Sequence, residues 1–251
     1  MVPNDVAEFG RVAAGRLRDV LGEELVGVYF VGSVALGGYV SGESDIDIVA
    51  VSRGQLGDAE KQKVVETLLD AVSPCPARGL EFTLYRRGVA ASPPIGGDFE
   101  VNLNGGPRMV RTVHFDDEEQ PRFWFVLDRA IAQRHGVVIS GPSAGEVFAD
   151  VSRSILLEVL VESMRWNRTH ERLGFSSVLN ASRAWRFAVE DALGSKLDGA
   201  TWARARWREP SLIDAAVELR HGHPAVLDGH ELHVFLDHVE GTLSHARTME
   251  A

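Results

Sequence analysis

The chain has 251 residues, 45% of them hydrophobic and 25% charged, the balance of an ordinary globular protein with material for one large core or two modest ones. The formal net charge of -10 disfavours a nucleic-acid partner, and no apolar run approaches the roughly 20 residues of a membrane span. One cysteine, Cys75, excludes an intrachain disulfide and a cysteine-based zinc cluster; with no signal-peptide pattern at the N-terminus, a cytoplasmic protein is expected.

Residues 5–21 place Val6, Phe9, Val12, Ala13, Leu17, Val20 and Leu21 at helical spacing, and Gly22 ends that helix. Leu25 to Val31 is short, apolar and rich in β-branched and aromatic residues, which predicts a buried strand. Gly32 to Ser44, rich in Gly and Ser, predicts a loop leading to a short helix. Asp45 to Val51 predicts a second strand, Gly57 to Val72 a second helix broken by Pro74 and Pro76, and Leu80 to Tyr85 a third strand. Ala90 to Gly97 reads as a loop, Phe99 to Leu103 as a short strand and residues 121–135 as a helix, closed by Gly141-Pro142. Beyond that point no strand is predicted. Helical segments follow near 152–170, 176–194, 198–207, 211–221 and 230–246, the first with Ile155, Leu156, Val159, Leu160, Ser163, Met164 and Trp166 on one face. The expected architecture is an α/β domain over 1–145, a mixed sheet flanked by helices, then an all-α bundle over 146–251.

The chemistry-bearing motif is Gly32-Ser33, eleven residues of loop, then Asp45-Ile46-Asp47. Glycine lets backbone approach a ligand, Ser33 offers a hydroxyl, and backbone amides after it can cradle phosphate oxygens. Asp45 and Asp47 are two apart in an extended segment, so both carboxylates point to one face. Such a pair repels unless a cation lies between them, and magnesium held by carboxylates plus substrate phosphates answers that requirement.

The segment GSVALGGYVSGESDIDIV resembles the Gly-Ser…Asp-x-Asp signature of the DNA-polymerase-β-like nucleotidyltransferases. More narrowly, the chain resembles the aminoglycoside and aminocyclitol O-adenylyltransferases. Gly79-Leu80-Glu81-Phe82-Thr83, Phe99 to Leu103, His135-Gly136 through Gly141-Pro142, Ala181 to Trp185, Ser195-Lys196 and Trp202-Ala203 extend the likeness over nearly the whole chain. The resemblance implies that Asp45 and Asp47 ligate two Mg2+ ions and that Glu81 is the catalytic base. It implies that Gly32, Ser33 and Ser44 contact the phosphates of ATP. Lys196 matches a helical-domain lysine reaching those phosphates, and Asp128 an acidic residue near the nucleotide. The implied reaction is attack of an acceptor hydroxyl on the α-phosphorus of ATP, with AMP transferred and pyrophosphate released. The implied partners are ATP and a small cationic acceptor, with no nucleic acid and no membrane, acting on a monomer.

Two departures concern the acceptor. The stretch Trp166 to Ser176 is about two residues shorter than its counterpart and holds one acidic residue, Glu171, where the family places two. The family's drug-stacking tryptophan falls at Gly105 or Gly106. Two other readings therefore stand beside an antibiotic-modifying enzyme: a biosynthetic nucleotidyltransferase acting on another natural product, and a protein-directed, antitoxin-type nucleotidyltransferase. The six histidines of 221–245 read as an exposed helical surface, Trp166, Trp185, Trp202 and Trp207 as core packing, and Asp116 to Glu119 as a solvated turn.

Overall fold

The computed structural model describes residues 2–71, 75–92, 96–116, 118 and 120–250. Val72, Pro74, Asp117, Glu119 and part of the predicted 90–97 loop lie outside the described residues. The chain divides into two compact units, Met1–Val151 and Ser152–Ala251.

In the first unit, the helix α1 (Asn4–Leu21) buries Val6, Phe9, Ala13, Leu17 and Leu21 of the predicted stripe, while Val12 is exposed and Val20 half-buried at its margins. The strands are β1 (Leu25–Phe30), β2 (Ile46–Ser52), β3 (Leu80–Arg86), β4 (Phe99–Gly106), β5 (Met109–His114) and β6 (Val137–Ser140). They form one sheet in the order β5-β4-β3-β2-β1-β6. Every neighbouring pair is antiparallel except β2 and β3, which run parallel because α3 (Asp58–Ala71) makes the crossover between them. The pleat sends alternate residues to opposite faces. On one face Val28, Phe30, Ile46, Ile48, Leu80, Phe82, Val101 and Leu103 pack with the apolar stripe of α1 and with Val64, Val65 and Leu68 of α3. On the other, Tyr29, Val31, Val49, Val51, Tyr85 and Phe99 pack with Phe125, Ile131 and Ala132 of α5 (Arg122–His135), and with Ala144 and Val147 of α6 (Ala144–Val147). The short helices α2 (Gly32–Ala35) and α4 (Arg87–Ala90) follow β1 and β3.

The 146–151 stretch belongs to this unit. Phe148 meets Tyr29 edge-on at 5.5 Å, Ala149 N–H donates to Ala90 O at 2.9 Å, and Arg134 Nη2 donates to Val151 O at 3.1 Å. The compact unit therefore runs to Val151.

The second unit is all helical among its described residues: α7 (Arg153–His170), α8 (Phe175–Glu190), α9 (Lys196–Arg204), α10 (Pro210–Arg220) and α11 (Gly229–Glu250). Ser195 caps α9 by accepting from Asp198 N–H at 3.1 Å, while Asp198 Oδ2 accepts from Ser195 N–H at 3.1 Å, a reciprocal capping box. Trp185 of α8 meets Trp202 at 5.0 Å and Phe235 at 6.0 Å, edge to face, so these rings form the centre of the bundle. Mixed sheet flanked by helices, then a helical unit, is the fold class the sequence predicts. Two strands, β5 and β6, were not foreseen.

Candidate active site

Gly32 turns the chain out of β1 with φ of +50°, a left-handed conformation costly for any residue with a Cβ. A Cβ here would lie 1.9 Å from Asp47 Oδ2, so this glycine is also a matter of space. Turned this way, Ser33 N–H donates to Asp47 Oδ2 at 3.2 Å, and Val31 N–H donates to Asp47 O at 3.0 Å. The Ser33 amide, expected to be available to phosphate, is thus engaged by Asp47. The short helix also precedes the loop rather than following it, because the turn at Gly32 starts α2 at once. Ser33 Oγ is buried with no hydrogen-bond partner among the described residues. A buried hydroxyl left so costs about 1–3 kcal/mol, which fits a place where a ligand oxygen completes the shell. Ser44 is buried at the far end of the loop, and its Oγ accepts from Val40 N–H at 3.0 Å.

β2 begins at Ile46, one residue later than predicted. Asp45 is nonetheless held along β3, because Arg78 N–H donates to Ser44 O at 3.0 Å and Ile46 N–H to Gly79 O at 2.9 Å. Asp45 and Asp47 are half-buried. Asp47 pairs in register with Glu81 of β3, which is exposed. The three carboxylates sequence reasoning singled out therefore come to the same end of one face of two adjacent parallel strands. Among the described residues no group of three or more His, Cys, Asp or Glu side chains is gathered tightly enough to hold a metal by itself. An ion here needs oxygen ligands from its substrate as well, as magnesium bound with phosphates does.

The register continues outward. Glu81 pairs with Asn104, and Asn104 with Thr112, where Asn104 Nδ2 donates to Thr112 Oγ1 at 3.2 Å. A parallel row, Thr83, Asn102 and His114, is closed by Asn102 Nδ2 donating to Thr83 Oγ1 at 3.0 Å. These residues were missed from sequence because β5 was missed. Its β-branched Val110, Thr112 and Val113, following the turn residues Gly105, Gly106 and Pro107, are the signal that could have found it.

Asp128 sits on α5 and raises the pKa of Tyr85, second to burial, which is the larger cause. Its neighbour Arg129 was not foreseen. It is 2% exposed, donates from Nη1 to Val89 O and from Nη2 to Gly96 O at 3.0 Å each, and lies over the Tyr85 ring. Burial lowers its pKa from the ordinary arginine value. Lys196 opens α9 in the second unit, directly after the Ser195 cap.

The two glycines at the expected tryptophan position have a structural cause. A Cβ on Gly106 would lie 2.2 Å from Gly79 Cα, and one on Gly105 would face Leu69 of α3, on the other side of the sheet. An aromatic platform cannot rise from this strand end without moving backbone.

Residues 146–239 match the family model described as aminoglycoside adenylyltransferase, C-terminal domain. The chain carries an aminoglycoside adenylyltransferase C-terminal domain. Over that stretch the family model agrees with the resemblance drawn from the sequence. No curated protein matches it. Among solved structures it is similar to spectinomycin adenyltransferase AAD(9) from Enterococcus faecialis, solved with ATP and spectinomycin. The TM-score is 0.72 at 15% identity, over 94% of this chain and 98% of that one. At that identity the likeness is one of fold.

Proposed function

We propose that this chain is a nucleotidyltransferase that transfers AMP from ATP to a hydroxyl of a small cationic acceptor of the aminoglycoside or aminocyclitol class, releasing pyrophosphate and conferring resistance. The observation that carries this reading is the in-register pair Asp47 and Glu81, placed beside an orphaned Ser33 hydroxyl in a chain with this C-terminal domain. The similar fold of AAD(9), a spectinomycin adenyltransferase solved with ATP and spectinomycin, supports the same pair of substrates.

The residues present fit magnesium. Asp47 Oδ2 is steadied by the Ser33 amide, Asp45 shares its face, and the backbone at Gly32 leaves the space clear. Asp45 and Asp47 would hold two ions, which supply charge neutralisation for the triphosphate and a lowered pKa for the acceptor hydroxyl. Ser33 and Ser44 hydroxyls donate to phosphate oxygens. Glu81, exposed near the start of β3, accepts the proton of the acceptor hydroxyl as that oxygen bonds the α-phosphorus and the bond to the β-phosphate oxygen breaks. Asp128 and Lys196 are proposed nucleotide contacts, each to be tested by its effect on ATP affinity. We propose domains at 1–145 and 146–251 on functional grounds, a monomer, and a cytoplasmic site of action.

One observation favours a second reading of the acceptor, a natural product other than streptomycin or spectinomycin. The strand end at Gly105 and Gly106 carries no aromatic, and the α7–α8 link offers only Glu171 as an acid. Purified protein with ATP, magnesium and a panel of aminoglycosides, aminocyclitols and amino-free polyols separates the readings. The expected outcome is pyrophosphate release and an AMP-sized mass gain on an amino-substituted acceptor. Silence across the panel would remove the adenylyltransferase reading.

A further inference from the structure

Resting on the proposed function, we infer that Asn104 is the residue that positions the acceptor, taking a hydrogen bond from an ammonium or hydroxyl group next to the hydroxyl that reacts.

Four adjacent strands carry the argument. Asp47, Glu81, Asn104 and Thr112 stand in register across β2, β3, β4 and β5, so their side chains share one face in a line. Directly paired residues have Cβ atoms about 5 Å apart, a span that two substituents of one sugar or cyclitol ring can bridge. An acceptor whose hydroxyl meets Glu81 can therefore present another substituent of the same ring to Asn104.

The chemistry of the side chain agrees. The Asn104 amide nitrogen is committed to Thr112 Oγ1 at 3.2 Å, which leaves the carbonyl oxygen as the end of the amide that can serve a ligand. A carboxamide oxygen accepts up to two hydrogen bonds, and Oδ1 has no partner among the described residues. Glu81 and Asn104 thus offer two neighbouring acceptors, a carboxylate and a carbonyl, to a ligand that must bring donors. An amino-substituted, polyhydroxylated ring is such a ligand.

The neighbouring polar row sets a contrast. Thr83 and Asn102 are buried, at 4% and 9% exposure, and bonded to each other at 3.0 Å. That pair satisfies itself within the sheet. Asn104 and Thr112 are half-buried, and their pairing leaves an acceptor open to solvent. The two rows differ by one turn of the pleat, and only the one beside Glu81 can meet a ligand.

The test measures KM for ATP and for an acceptor, with kcat, in wild type, Asn104→Leu and Asn104→Asp. Leucine keeps the volume and removes the acceptor atom; aspartate keeps the acceptor atom, and Thr112 can donate to it. The expected result is a rise of roughly tenfold or more in acceptor KM for Asn104→Leu, the scale of one lost hydrogen bond to a charged group. ATP KM should be unchanged, and Asn104→Asp should retain acceptor affinity. An unchanged acceptor KM in Asn104→Leu, or ATP and acceptor KM rising together in both variants, overturns the inference alone. A wild-type enzyme silent on every acceptor removes it along with the reading it rests on.

Discussion

Glu81 and Phe82 are neighbours in β3 and serve opposite faces of one sheet. On the Phe82 side, Ile46, Ile48, Leu80, Val101 and Leu103 close against α1 and α3, and the buried polar groups are Ser52 at the end of β2 and Glu100, which pairs with Lys61 of α3 at 3.1 Å. On the Glu81 side, Val49, Val51 and Tyr85 begin the same pattern, but Asp47, Glu81, Thr83, Asn102 and Asn104 interrupt it. An apolar side chain buried at such a position stabilises by about 1.5–3 kcal/mol. A face that forgoes that gain at several registers in line is shaped by something other than folding. The comparison teaches that fold and chemistry are divided by side-chain parity, residue by residue, along the same strands.

Substitutions that separate the faces test this division. Asp47→Asn keeps the oxygen that accepts from Ser33 N–H and removes the charge. Turnover should fall by about three orders of magnitude with the melting midpoint nearly unchanged; retained turnover would sink the metal assignment. Glu81→Gln should lower kcat by roughly 10²–10⁴-fold, again with little change in the urea midpoint. Its neighbour Phe82→Ala should do the reverse: a loss of about 3–5 kcal/mol in unfolding free energy, with the turnover of the folded fraction largely kept. Parallel effects of the two substitutions on activity and stability would erase the distinction. Gly32→Ala should move both readouts, costing about 1–2 kcal/mol of backbone strain and lowering turnover by displacing Asp47. Unchanged turnover would show that the Asp47 carboxylate need not stay where Gly32 leaves room for it.

The smallest effect lies in the helical unit. Glu190 accepts from Trp202 Nε1 and neighbours Arg186 and Arg206. The Trp202 hydrogen bond, and then the arginines, hold its pKa below the ordinary 4.5. A depressed folded-state pKa gives stability that is complete above the unfolded value and is lost as pH falls through the folded one. Wild type should therefore show a slightly steeper loss of melting temperature below about pH 4.5 than Glu190→Gln. Identical acid profiles would show that the bond contributes nothing.

Much of the site was legible because its residues announce themselves by spacing. Two aspartates at strand periodicity after Gly-Ser, and a glutamate entering the next apolar run, are unusual enough to read directly. The strands β1 to β4 and the helical second half followed from periodicity in the same way. What escaped depended on partners distant in sequence. Val137–Ser140 is too short to read as a strand until β1 offers it an edge. Met109–His114 sets Arg111, Thr112 and His114 among its apolar residues with no regular alternation, so its pairing with β4, and with it the polar row at Asn104, appears only in the assembled sheet. Arg129 resembles any surface arginine of an amphipathic helix; only the fold shows that two backbone carbonyls and a tyrosine ring enclose it.

The single parallel junction in the sheet has a consequence in time. Asp47 and Glu81 are 34 positions apart (81 − 47), and they become neighbours only when α3 has brought β3 back beside β2. Non-local parallel pairing is entropically late, because the loop must close before the ladder rewards it. Hairpins such as β4 with β5 can form from local contacts and carry no carboxylate pair. During refolding, spectroscopic signals from helices and hairpins should thus recover ahead of turnover, and the return of catalysis marks the moment the crossover docks.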